Sequence, residues 1–78
     1  MAAKLPRISA GKVVGALKRD NWYEHHQRGS HLAMRHPEKK GQVTIPIHAG
    51  RDIHLTTLKF ILRQAGLSEK EFLRLLRR

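Results

Sequence analysis

The spacing of apolar residues changes period twice along the chain, and this constrains the fold more than any other feature. Val13, Val14 and Leu17 recur at helical spacing, Leu32, Met34, Val43, Ile45 and Ile47 fall on alternate positions, and Leu58, Ile61, Leu62 and Ala65 return to the i, i+3, i+4, i+7 pattern. A period of 3.6 gathers apolar residues into one stripe of a helix; a period of two gathers them on one face of a strand. Burying both sets at once requires helices laid on one side of an antiparallel sheet, with the other side open to water. The expected class is therefore α+β.

Local signals bound the elements. Ser9 is a good N-cap for a helix over about residues 10–20, with Ile8 and Val13 as a hydrophobic staple, and Asp20-Asn21 ends it. Trp22 to Arg28 and Ser30 to His36 read as two strands joined tightly at Gly29-Ser30. Pro37-Glu38-Lys39-Lys40-Gly41 is a turn, and the alternating run from Val43 to His48 is the clearest strand, placed at a sheet edge because Pro46 lacks an N–H. After a loop over 49–52, Thr56 or Thr57 is expected to cap the next helix and Gly66 to occupy its C′ position. Ser68 and Glu71 form a capping box for a short last helix, with Leu67 and Phe72 as its staple and Leu73 and Leu76 on its packing face. The order is α-β-β-β-α with a short extra C-terminal helix. Placing both apolar sets on one side pairs Met34 with Val43 and Leu32 with Ile45; it sets His31 opposite Pro46, one diagonal step from His48, with both imidazoles on the open face.

A chain of 78 residues has room for one domain, residues 1–78. With no cysteine, disulfides, a thiolate nucleophile and Cys-ligated zinc are excluded. The balance of 16 Lys+Arg against 6 Asp+Glu, a net charge of +10, calls for a polyanionic partner. Apolar runs are only a few residues long, so no membrane span or signal peptide is expected, and the domain reads as soluble and cytoplasmic.

Six histidines are the groups most suited to chemistry. His25 and His26 are adjacent, no helical H-x-x-x-H pair exists, and the carboxylates are scattered, so neither a metal site nor any other cofactor is expected. What remains is acid–base chemistry by histidine in a cationic setting: RNA supplies its own 2′-hydroxyl nucleophile, and an imidazole near neutrality takes or gives the proton. His31 is best placed for this, with His48 and His36 as possible assistants, while His25 and His26 read as dispensable surface residues. Arg28, Arg35, Lys39 and Lys40 are candidate phosphate contacts near His31, and Lys59 and Arg63 form a second cationic pair four residues apart on a helix.

The segments Lys12-Val13-Val14, Asp20-Asn21-Trp22, Gly29-Ser30-His31, His36-Pro37, Val43-Thr44-Ile45-Pro46-Ile47-His48 and Leu58 to Leu67, in this order and spacing, resemble the HicA family of toxin ribonucleases over about residues 8–76. The resemblance implies a double-stranded-RNA-binding-domain-like fold and an mRNA interferase whose catalytic histidine, that of the G-S-H motif, is His31. It also implies a HicB-like antitoxin that binds and blocks the toxin. Relatives usually carry Gly where this chain has Asn21, a residue that tolerates positive φ, and Gly where it has Thr56, at the start of the phosphate-facing helix. The rival reading is a non-catalytic double-stranded-RNA-binding module, which needs phosphate contacts and no general acid or base.

Overall fold

Each change of period in the sequence marks a change of element in the structure, a computed structural model that describes residues 4–78. The chain runs β1 (Ile8–Ser9), α1 (Ala10–Arg19), β2 (Tyr23–Arg28), β3 (His31–Arg35), β4 (Gln42–Pro46), β5 (Asp52–Ile53), α2 (Leu55–Ala65) and α3 (Glu69–Leu76). Strands β2, β3 and β4 form an antiparallel sheet in that order, while β1 and β5 pair separately. The α+β class and the α-β-β-β-α order with a further C-terminal helix are as expected.

The register is Met34 with Val43, Leu32 with Ile45 and His31 with Pro46. A slip of one residue would turn these four apolar side chains, all at most 3% exposed, toward water. β4 is an edge strand, and Ile47 just beyond it donates its N–H to the Ser30 carbonyl at 2.6 Å. Alternation then points the N position of Pro46 away from β3, where a missing donor breaks no ladder bond.

The caps explain where the helices stop and start. Ser9 Oγ accepts the Lys12 N–H at the head of α1, and Asn21, at φ 73°, turns the chain out of it. Gly66, at φ 68°, closes α2 in a Schellman motif: its N–H reaches the Arg63 carbonyl at 3.2 Å and the Leu67 N–H reaches that of Leu62 at 2.9 Å. The capping box of α3 is reciprocal, with Glu71 N–H to Ser68 Oγ at 3.0 Å and Ser68 N–H to Glu71 Oε1 at 2.9 Å.

Those Ser68 bonds, backbone first and side chain second, hold the Glu71 carboxyl below its ordinary value of 4.5. A lowered folded-state pKa means that the box stabilises the protein above about pH 4.5 and is lost as pH falls through the folded value. Glu71→Ala should therefore lower the urea midpoint at pH 7, and the gap to the parent should narrow at pH 3. An equal gap at both pH values would show that the charge on Glu71 contributes nothing.

Two local expectations are corrected. The helix α2 begins at Leu55 with His54 as its N-cap and no side-chain capping bond, so Thr56 and Thr57 lie inside its first turn. The cause is β5, which pairs Ile53 with Ile8 and Asp52 with Ser9 and so directs the chain up to His54. Thr56 consequently sits in a helical turn that requires no positive φ. In α3 the buried stripe is Phe72 and Leu75 with Leu76 packed beside it, and Leu73, half-buried like Leu76, does not join the core, because a helix starting at Glu69 turns the 72–75–76 set inward.

Candidate active site on the open sheet face

Side chains of directly paired strand residues share a face, so the ladder itself lays out the site. Three rows point away from the helices: Arg28–His31–Pro46, His26–Ala33–Thr44 and Tyr23–Arg35–Gln42. The rows between them, Gln27–Leu32–Ile45 and Glu24–Met34–Val43, point toward the helical layer. Strict alternation along β2 would put Trp22 on the same side as Arg28. A β-bulge between Glu24 and His26 adds one residue and resets the phase. Trp22 thereby enters the core at 2% exposure while Arg28 still faces outward. Glu24, turned to the other side, pairs with Lys18 of α1 at 2.6 Å. The three outward rows carry His26, Arg28, His31 and Arg35 and no carboxylate.

His31 opens β3 directly after the two-residue turn Gly29-Ser30. Gly29 has φ 58° and Ser30 has no positive φ, the pattern of a type II′ turn, whose twist matches that of the strands it joins. Gln27 Nε2 steadies the turn by donating to the Gly29 carbonyl at 3.1 Å. The His31 side chain is exposed and directly opposite Arg28. Arg35 shares the face, four residues along or about 13 Å at strand spacing.

The structure separates several candidates from this centre. His36, at the far end of β3, accepts the N–H groups of Glu38 (3.0 Å) and Lys39 (3.2 Å) at Nδ1. Its proton then sits on Nε2, which donates to the Asp20 carbonyl at 2.7 Å. With both ring nitrogens engaged and its ring edge-on to Trp22 at 5.2 Å, His36 is a strut of the fold. Lys39 is another: its Nζ binds Asp20 Oδ2 at 3.1 Å and the Ala65 carbonyl at 2.9 Å, 5.9 Å from the Trp22 ring centroid. Lys40 lies in the same β3–β4 connection, at the end of the strand remote from His31.

His48 lies past the end of β4 and lines a recess of about 230 Å³ with Pro46, Arg51, His54 and Thr57 among others. Pro46 is the shared wall, since His31 is its partner across the ladder. Lys59 and Arg63 are exposed on α2, in the helical layer, and α2 packs against β4 by its opposite side, so the pair does not join His31 on the open face. Among the described residues no three His, Asp or Glu side chains gather into a group able to hold a metal ion. No helix among them is long and apolar enough to cross a membrane.

A helix–hairpin–strand–helix frame that presents a G-S-H histidine on a cationic open face has a counterpart among known families. The family model of the HicA toxin of bacterial toxin–antitoxin systems matches residues 10–67. The chain belongs to the HicA toxin family. It is thus a toxin of a toxin–antitoxin system, with an antitoxin as its partner. No curated protein matches the chain closely enough to add to this assignment. The matched span runs from the first residue of α1 through the Schellman end of α2, and so contains every residue of the HicA open face described above. Sequence reasoning missed one resident of that face, His26, because a strand exposed at every position carries no hydropathy alternation to show which of its residues share the face of Arg28.

Proposed function

We propose that this HicA-family toxin is an endoribonuclease, an mRNA interferase whose His31 transfers a proton at the scissile phosphate without a metal or other cofactor. The observation that carries the reading is the row Arg28–His31, an exposed imidazole beside an exposed guanidinium on a face with no carboxylate. The imidazole serves the 2′-hydroxyl or the leaving oxygen, and the guanidinium offsets charge on the phosphorane-like transition state. Arg28 and Arg35 bind phosphates along the open face, while Lys59 and Arg63 extend the binding surface on α2 and Lys40 at the far turn. His48 assists from the recess beyond Pro46.

The antitoxin is HicB-like and blocks the toxin by covering the open face, which a net charge of +10 suits to an acidic surface. The toxin's site of action in this reading is the cytoplasm, where an mRNA substrate is found. Purified toxin should cut RNA in EDTA, leave 2′,3′-cyclic or 3′-phosphate and 5′-hydroxyl ends, and spare a DNA copy of the substrate. Loss of cleavage in EDTA that Mg²⁺ restores would overturn the metal-free mechanism, and RNA bound without being cut would return the non-catalytic double-stranded-RNA-binding reading.

A further inference from the structure

Cleavage of RNA by its own 2′-hydroxyl needs two proton transfers, one from the nucleophile and one to the leaving 5′-oxygen. A single imidazole serves both only if it acts on opposite sides of the phosphorus in turn. The open face offers a second imidazole. The regular register from Arg28–His31 through Gln27–Leu32 puts His26 in the row with Ala33, one outward row along, before the bulge shifts the strand at Glu24. His26 and His31 are therefore diagonal neighbours on one face, about 7–8 Å apart at the backbone, with side chains able to converge on a group between them.

The other two corners of this square are Arg28 and Ala33. Ala33, a methyl group 7% exposed, forms the floor between the two histidine positions, and Arg28 is the neighbour of both in the ladder. His26 is exposed, and no hydrogen bond or ion pair engages its ring among the described residues, in contrast to His36. Its outward direction is set by the unbroken pairing of β2 with β3 from the Gly29-Ser30 turn to Ala33.

We propose that His26 is a second catalytic residue, sharing the two proton transfers with His31 across a phosphate seated over Ala33. In the step, one imidazole takes the 2′-hydroxyl proton as the 2′-oxygen–phosphorus bond forms. The phosphorus–O5′ bond breaks, and the other ring, as imidazolium, delivers a proton to O5′. The products are a 2′,3′-cyclic phosphate and a 5′-hydroxyl, and the enzyme neither gains nor loses a proton overall. This assignment rests on the ribonuclease reading.

The test uses full-length toxin, an oligoribonucleotide and the same oligoribonucleotide with sulfur in place of the bridging O5′ at the cleavage site, because a thiolate leaves without being protonated. His26→Gln should lower kcat on the ordinary substrate by about 10²-fold with KM little changed. His25→Gln, at the bulge position outside the three rows, should cut normally. On the sulfur substrate one of the two variants, His26→Gln or His31→Ala, should recover near parental rates while the other stays slow, which identifies the general acid. An unchanged kcat for His26→Gln, a loss confined to KM, or a loss that the sulfur substrate restores in neither variant would overturn the assignment. A parent protein that cuts no RNA would fail the ribonuclease reading itself, and this assignment with it.

Discussion

His31→Ala is expected to lower RNA cleavage by about 10²–10⁴-fold, the usual loss on removing a positioned acid–base group, and to abolish growth inhibition with it. The fold should not notice. His31 is exposed on the open face, and no hydrogen bond or ion pair involves its side chain among the described residues. Its backbone pairing with Arg28 and Pro46 is kept by alanine, and exposed substitutions usually move stability by about 0.5 kcal/mol or less. RNA affinity and antitoxin binding should stay near the parental values, because the guanidinium groups of Arg28 and Arg35 remain. The measurements are cleavage of a defined oligoribonucleotide, colony formation on induction, and a urea midpoint. If His31→Ala stayed fully toxic, the G-S-H assignment would fail and His48 in the recess beyond Pro46 would become the candidate. If it unfolded, His31 would be structural and the binding-module reading would gain.

How much of this was legible in the sequence depended on whether the signal was periodic. The register of β3 and β4 follows from two apolar sets that must share a face, and Pro46 at an edge follows from a missing donor. Asn21, Gly66 and the Ser68–Glu71 box each carry a backbone preference or a bond that is local in sequence. The features that escaped are those with no period. The β1–β5 pairing is two residues long, too short for alternation to appear, yet it sets where α2 begins. The bulge in β2 hides among six exposed residues, so nothing in the hydropathy of Tyr23 to Arg28 shows which of them share a face with His31. His36 and Lys39 look like any histidine and lysine near a basic cluster; only three-dimensional proximity to Asp20, Trp22 and the end of α2 turns them into struts.

Those struts converge on Trp22, whose replacement by alanine should cost about 3–5 kcal/mol, the range for deleting a buried aromatic. A chain of this length holds about 4–12 kcal/mol in total, so the variant should lose at least about a quarter of its stability and unfold at a clearly lower urea concentration. The side chain is 2% exposed, its Nε1 donates to Asp20 Oδ2 at 3.2 Å, and His36 and Lys39 stand against its ring. Trp22 thus ties the end of α1 to the β3–β4 turn and, through Lys39, to the Ala65 carbonyl at the end of α2. Trp22→Phe keeps a ring in the core but loses the indole donor and some volume; it should cost about 1–2 kcal/mol and stay folded. Because the pairing with β3 sets the face of Arg28 and His26, the phenylalanine variant should keep both on the open face and retain cleavage. The experiment is a urea series on both variants beside the RNA assay. An alanine variant that lost less than about 1 kcal/mol would show that the core closes without the indole, and the strut network would then be a consequence of the fold with little part in holding it.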